Sequence, residues 1–442
     1  STQSRSSAAS DVYKRQVWEN GQTISVRRVT GEDREAFKKA MEKLRHLLEG
    51  VAKAATELNV GEDEKLQILT DAIVAFLRAP LVQEVSPVAP TPLKAHALML
   101  VAPNLKKMVW SPNLYEFAEK LADLTRKGLG FAETLFEPET AELVYRLWIA
   151  FPADTRPGYN TSSLIAHSLM TSAIAWALAV KSGPKSVGEE TLIRLSALLH
   201  DLGKAVDPED HVKASEKLAR WLLEGLVSND ALEEVLTMIR RHHQRVPFLS
   251  KADRLASSAD RLEKLVSQVI GGKLERMEQL VGGKRSEWGF WKKVYERRED
   301  LAREGLIRED PVRELTEEFL RKAPSVTRHE VVDGEKRDYG LSLVLLDVAS
   351  VQSSVNRSQE IRVVAATSHL IELAIHTHFL EYVKEKLSGR GLRVPPETAL
   401  FSGGGNFLIL LPSEAVDRVA DYAREYGEST KLTVVVASTP FI

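Results

Sequence analysis

The stretch Ser196–Ala205, SALLHDLGKA, constrains this chain more than any other. An apolar helical run leads straight into His200-Asp201, and a small, flexible Leu-Gly-Lys turn follows. Imidazole beside carboxylate suits a divalent metal, since both are borderline-to-hard donors and the pair can serve one ion or join two. A histidine–aspartate dipeptide occurs by chance in many proteins; its neighbours give this one weight. His167 lies on the preceding helical segment, Asp253 follows in KADRLASSAD, and His211, His242 and His243 fall between them. Five of the eleven histidines therefore sit between 167 and 243, a density that packing alone does not explain.

At 442 residues the chain exceeds one ordinary core, so two to three domains are expected. A hydrophobic content of 43% and a charged content of 28% describe a globular protein able to bury real cores. The net charge of −2 neither calls for nor excludes a nucleic-acid partner. With no cysteine there are no disulfides and no thiolate metal sites, which fits a reducing compartment. No apolar run reaches the roughly 18 residues that span a bilayer, and no signal-peptide core opens the chain. The expectation is a cytoplasmic protein with no membrane partner.

Residues 1–16, STQSRSSAASDVYKRQ, are Ser-rich and aperiodic and are expected to be a non-native leader. Residues 17–151 are expected to form a helical N-terminal region with a packing or partner-binding role. Leu44, Leu47, Leu48, Val51 and Ala55 recur there at helical steps. Four prolines between Pro80 and Pro92 mark a loop or crossover, and helical periodicity returns over Tyr115–Lys127 and Pro138–Ala150. Residues 152–270 begin with a turn-rich entry, where Thr161, Ser162 or Ser163 can cap a helix running to Lys181. Further helices are expected over Glu189–His200, Ala214–Gly225, Ala231–His243 and Lys251–Ile270, giving a compact helical unit with metal-type residues at helix ends. Residues 271–330 are charge-dense and read as surface helices linking two domains.

The period then changes. Asp333-Gly334 between extended runs is a hairpin signal, and LSLVLLDV (341–348) is a buried strand by length and branching. A helix over Arg362–Leu387 follows, then strands Thr398–Ser402 and Asn406–Leu411 around a glycine turn, a helix Ser413–Tyr426 and a strand Lys431–Ser438. The order β-α-β-β-α-β is that of the ferredoxin-like split unit, the core of polymerase and nucleotide-cyclase palms. The expected fold class is thus α+β: an N-terminal helical region, an all-helical metal-binding unit, and a ferredoxin-like palm over 331–442.

A hydrolytic metal site needs ligands that leave a position open for water, whose pKa the ion lowers toward neutrality. His167, His200, Asp201 and Asp253 supply two imidazoles and two carboxylates from three helices. That set suits Mn²⁺, Fe²⁺, Co²⁺, Ni²⁺ or Zn²⁺ better than Mg²⁺, which prefers all-oxygen shells. His211 with His242 or His243 is a candidate set for a second ion. Lys204 can reach a phosphate oxygen, so His200, Asp201 and Lys204 are the catalytic candidates. In the palm, Asp347 stands at a strand end where one metal carboxylate is expected, but the turn Gly403-Gly404-Gly405-Asn406 lacks the acids a working palm needs. Its glycines still let backbone N–H groups approach a phosphate or base. This palm is expected to be half of a nucleotide site, with ATP as its candidate ligand.

The H…HD…D spacing resembles the HD phosphohydrolase superfamily. Joined to a palm, it also resembles the large subunit of type III CRISPR–Cas effector complexes. The motifs are PADTRP (152–157), HSLMTSA (167–173), LLHDLGK (198–204), ADRLASSADR (252–261), LLDVASVQ (345–352) and FSGGGNFLILLP (401–412). The resemblance implies metal-dependent cleavage of single-stranded DNA by the HD domain, within a complex of CRISPR RNA and further subunits. It also implies ATP conversion to cyclic oligoadenylates by paired palms in the full-length protein. The chain departs from the family in lacking a second palm with its GGDD-type turn, so a fragment is expected, and in lacking a Cys-rich zinc element. The helical region ahead of the HD unit leaves the related type I-D subunit open. A stand-alone HD phosphohydrolase acting on nucleotides and a non-catalytic scaffold subunit are the alternatives.

Overall fold

Leu164–Lys181 is apolar on every side, and a helix of that kind belongs in an interior rather than at a surface. Its first turns, Leu164, Ile165 and Leu169, join one core with Leu44, Leu48, Leu69 and Phe76. Its later turns, Ile174, Trp176 and Leu178, join a second core with Val344, Leu346, Phe379 and Ile409. The rest of the chain is arranged on either side of it. The structure, a computed structural model, describes residues 14–19, 22–82, 92–125, 130–153, 163–244, 246–260, 262–283, 290–326, 339–349, 359–403 and 406–441.

In chain order a two-stranded antiparallel ribbon, β1 (Lys14–Glu19) and β2 (Gln22–Arg28), precedes helices α1 (Gly31–Glu57) and α2 (Glu62–Leu77). Then come α3 (Pro92–Val101), α4 (Pro103–Val109), α5 (Leu114–Thr125), α6 (Pro138–Ala150), α7 (Leu164–Lys181) and α8 (Val187–Leu199). A 3-10 turn, Leu202–Ala205, leads to α9 (His211–Leu223), α10 (Asn229–Arg241), α11 (Leu249–Asp260) and α12 (Leu262–Val281). Two short helices, α13 (Phe290–Glu296) and α14 (Arg298–Arg303), and a longer one, α15 (Pro311–Val326), follow. The last unit is β3 (Leu341–Val348), α16 (Ile361–Leu373), α17 (Phe379–Ser388), β4 (Ala399–Gly403), β5 (Asn406–Pro412), α18 (Val416–Thr430) and β6 (Val434–Pro440). Its four strands lie in the order β4-β5-β3-β6, every neighbouring pair antiparallel. The described residues are mostly helical, with this small sheet near the C-terminal end.

Several expectations change. Lys14–Gln16, read as part of a leader, begin β1 and pair with Arg28, Arg27 and Val26, so the N-terminal region opens on strands rather than helix. The Asn20-Gly21 pair between the two extended runs carries that signal in the sequence. Residues 1–13, the candidate caps Thr161 and Ser162, and the hairpin expected at Asp333-Gly334 lie outside the described residues. Ser163 caps α7, its Oγ accepting the Ile165 N–H at 3.2 Å. A reciprocal capping box, Ser186 with Glu189, starts α8 at Val187. The boundary expected at 270 falls inside α12, and Ile270, Leu274, Met277, Phe290, Val294 and Leu301 form a small core of their own. Residues 271–330 are therefore more than surface helices. Helices Leu164–Lys181 and Ile361–Ser388 do have the length and apolar composition of a bilayer span, contrary to the expectation that no run qualifies. Burial explains it: 78% and 50% of those windows are covered by the protein itself.

The helix expected over Arg362–Leu387 is interrupted by a π turn at Ala374–His378. There the buried His378 donates from Nε2 to the Ser111 carbonyl at 2.8 Å and takes the Tyr426 hydroxyl on Nδ1 at 2.9 Å. A second buried tie centres on Arg194 of α8. It donates to both oxygens of Glu397, at 2.7 and 2.9 Å, and to Asp71 of α2 at 2.5 Å. Ser172 of α7 completes the carboxylate, its Oγ donating to Glu397 at 2.7 Å. Arg194 is 3% and Glu397 0% exposed, so breaking this pair leaves an uncompensated buried charge. Glu397→Ala is expected to lower the unfolding free energy by about 3–5 kcal/mol in urea denaturation. Glu233→Ala, at the exposed Arg220–Glu233 pair, is expected to cost at most about 1 kcal/mol.

Candidate metal centre

The ends of five helices bring the histidines and aspartates together. His167 stands in the first turn of α7, and His200 caps the C-terminus of α8. Asp201 opens the 3-10 turn, and His211 is the first residue of α9. His242 and His243 follow α10, and Asp253 lies in the first turns of α11. His167, His200, Asp201 and His242 are buried, whereas His243 is exposed and Asp253 and His211 are partly so.

The groups form two sets that share Asp201. On one side, Asp201 Oδ2 lies 3.6 Å from His167 Nε2 and 3.4 Å from His200 Nε2. Asp253 Oδ1 lies 3.2 Å and 3.8 Å from the same two nitrogens. On the other side, Asp201 Oδ1 faces His211 Nε2 at 3.6 Å and His242 Nε2 at 3.9 Å. His243 Nε2 lies 3.2 Å from His211 Nε2. The donor atoms within each set, His167–His200–Asp201–Asp253 and His211–His242–His243, all fall within 4.8 Å of one another. The choice left open between His242 and His243 is not forced by the geometry, since both are in reach. They differ in that His242 faces Asp201 and His243 meets His211.

Backbone carbonyls orient the two most buried imidazoles. His200 Nδ1 donates to the Ala197 carbonyl at 2.8 Å, and His242 Nδ1 to the Ile239 carbonyl at 2.7 Å. A carbonyl only accepts, so the proton sits on Nδ1 and the Nε2 lone pair is aimed at the carboxylates. Burial, reinforced by the nearby His200, pushes the His242 pKa down to about 4, and burial lowers that of His211. Burial alone would raise the two carboxyls. For Asp201 the pull of His200 and Lys204 outweighs it, and for Asp253 the adjacent His167 and His200 do, so both are held below the ordinary carboxylate range. Ionised Asp201 and Asp253, with His211 and His242 unprotonated, are in the states that binding of a divalent cation requires.

Whether these residues fit a metal is decided by three atoms. His200 Nε2, Asp201 Oδ1 and His242 Nε2 are buried and make no hydrogen bond within the described residues. Leaving such groups unpaired costs about 1–3 kcal/mol each, and all three point at positions where a cation would satisfy them. The set fits. Lys204 is placed differently from a free phosphate ligand: its ammonium lies 2.5 Å from Asp201 Oδ2 and donates to the Ala153 carbonyl at 2.8 Å. Ser250, which no spacing argument selects, donates its hydroxyl to the His242 carbonyl and so ties the start of α11 to the second set.

The palm candidates sit elsewhere, at one end of the sheet. Asp347 of β3 is directly opposite Asn406 of β5, and Gly403 pairs with Asn406. Gly404 and Gly405 lie outside the described residues.

The buried imidazoles set the pH response of the metal-free protein. An unfolded histidine takes its proton near pH 6.5, whereas burial holds His242 and His378 unprotonated down to about 4. Between those values the unfolded chain binds more protons than the folded one. Stability is therefore full above about pH 6.5 and lost as pH falls toward 4. Urea denaturation across that window is expected to show the decline, and His242→Gln to flatten it.

Residues 164–265 match the HD domain family. Ribonuclease Y of Mycoplasmoides gallisepticum (strain R(low / passage 15 / clone 2)) is 25% identical over 190 residues, which is 38% of this chain and 29% of that protein. Among solved structures, a crystal structure of an apo Csm1–Csm4 cassette aligns with a TM-score of 0.30 and 15% identity, covering 62% of this chain and 44% of that one. The chain thus spans less than a third of the curated relative and less than half of the solved chain. Every member of the two His/Asp sets falls between 164 and 265, so the centre lies within an HD domain, the unit of a superfamily of metal-dependent phosphohydrolases and nucleases.

Proposed function

We propose that this chain is a CRISPR type III effector large subunit whose HD domain hydrolyses single-stranded DNA at a centre of one or two divalent transition-metal ions. The observation that carries the reading is Asp201, which offers one oxygen to His167 and His200 and the other to His211 and His242. A carboxylate so placed can join two ions. Mn²⁺, Ni²⁺, Co²⁺, Fe²⁺ and Zn²⁺ suit the mixed nitrogen and oxygen donors. When bound, such an ion supplies Lewis-acid polarisation of a phosphoryl oxygen and lowers the pKa of water.

The chain's own residues do the rest. His167, His200, Asp201 and Asp253 hold the inner position, and His211, His242 and His243 the outer one, which opens to solvent at His243. Lys204 neutralises the shared carboxylate from the Ala153 side, and its ammonium is the group nearest the centre that can turn to a phosphate oxygen. The ordered motifs on either side of the charged segment support assignment to an effector complex with CRISPR RNA and further subunits as partners. The strand order β4-β5-β3-β6, with a helix between the first two strands in sequence and another between the last two, supports a ferredoxin-like palm. Asp347 opposite Asn406, itself paired with Gly403, then gives that palm one carboxylate at the sheet end, a half-site for ATP.

Labelled single-stranded DNA incubated with the purified chain and Mn²⁺, Ni²⁺ or Co²⁺ is expected to be cut. A His200→Ala/Asp201→Ala double variant is expected to lose that activity by at least about 100-fold. Hydrolysis of free deoxynucleoside triphosphates with DNA left intact would instead establish the stand-alone phosphohydrolase. Metal binding with neither activity would leave the scaffold role.

A further inference from the structure

We propose that Ser215 is a positioning residue for the outer ion: through Gly203 it fixes His211 against Asp201 and so sets the affinity of that position without touching an ion. The inference rests on the two-ion reading above.

The motif turn and α9 pass at a distance only glycine permits. A Cβ on Gly203 would lie 2.2 Å from the Ser215 nitrogen, 2.4 Å from the His211 carbonyl oxygen and 2.6 Å from Ser215 Oγ. The first two of those atoms are backbone and cannot swing aside. The Gly203 N–H donates to Ser215 Oγ at 2.8 Å, and Ser215 is fully buried. His211 and Ser215 are four residues apart on α9, hence on one face a single turn apart. Holding Ser215 therefore holds His211. Gly203, in turn, is two residues from Asp201 in a turn closed by hydrogen bonds from Lys204 N to the Asp201 carbonyl and from Val206 N and Asp207 N to the Gly203 carbonyl. The carboxylate and the imidazole that face each other at 3.6 Å are thus registered by this one contact.

The inner position is built differently. It shares Asp201, but that carboxylate is also held at Oδ2 by Lys204, and the other three residues, His167, His200 and Asp253, come from the ends of α7, α8 and α11. A hydrogen bond that served only the fold would weaken both positions alike, whereas the registration assigned to Ser215 acts on the outer one.

Titration of the metal-free full chain with Co²⁺, followed by calorimetry, separates these. The wild type is expected to show two classes of site, and His211→Ala to remove the weaker. Ser215→Ala, which keeps the volume of the side chain nearly unchanged, is expected to weaken the outer class by about 10- to 100-fold, the usual cost of losing an outer-shell partner. The inner class should stay within about twofold. Gly203→Ala, if it folds, is expected to act in the same direction and further. Equal weakening of both classes in Ser215→Ala, or no change in either, would overturn the proposal while the metal centre stands. A single class unaffected by His211→Ala would also overturn it. A wild-type chain that binds no Co²⁺ would overturn the metal-centre reading and this inference together.

Discussion

Arg194 is the cation on which the arrangement of the chain depends. It sits on α8, two turns before His200, and its guanidinium donates to Glu397 ahead of β4 and to Asp71 of α2. One side chain thereby clamps the helix that ends in the His-Asp pair to the sheet unit on one side and to the N-terminal helices on the other. Ser172 draws α7 into the same carboxylate. Apolar contact alone would let α7 and α8 slide along the two cores they separate, because dispersion and burial have no direction. A buried, fork-shaped donor matched to a carboxylate has one best geometry. The placement of His167 and His200 relative to each other follows from it.

The metal centre is what such a clamp makes possible. Imidazolium groups crowded together repel one another, and burial keeps His242 and His211 from taking protons. The neutral state leaves lone pairs with nothing to accept, and three buried atoms are in that condition. In a protein without a ligand to serve, such atoms would be replaced by apolar ones at little cost. Their persistence at the junction of five helix ends makes sense as preorganisation for a cation, with binding free energy returned as folding stability. The coupling also explains why the ligands sit at helix ends. There the backbone carbonyls of Ala197 and Ile239 are near the end of the helical ladder and take the imidazole Nδ1 protons.

Much of this was legible in the residues, and the gaps have physical causes. Periodicity placed α6 at Pro138–Ala150 and β3 at Leu341–Val348, because local burial alone decides those elements. The spacing of His167, His200-Asp201 and Asp253 marked residues that do meet, and His211 with His242 and His243 likewise. The strands at Lys14–Arg28 were missed because a Ser-rich start masked a short hairpin signal. The π turn at 374–378 was invisible because it answers to Ser111 and Tyr426, distant in sequence. Charge density made 271–330 look like surface, although apolar residues at helical spacing give it a small core. Lys204 was read for its charge and reach; its bond to Asp201 is local, three residues away, but its second bond, to the Ala153 carbonyl, joins residues 51 apart in sequence, which no spacing reveals.

The two cores bear on how the parts of the molecule can act on one another. α7 contributes to both, so the N-terminal helices, the HD domain and the sheet are not beads on a string; they share one interior helix. A shift of the sheet must either move α7 or open the apolar contact along it, and close-packed interiors resist the second. The shortest rigid route runs from Glu397 through β4 to Gly403, five strand residues ending where the sheet pairs Gly403 with Asn406 and Asn406 with Asp347. Glu397, just ahead of that strand, is held by Arg194 of the helix that leads into His200, and a buried ion pair joined by several charge-assisted hydrogen bonds has little freedom to shift.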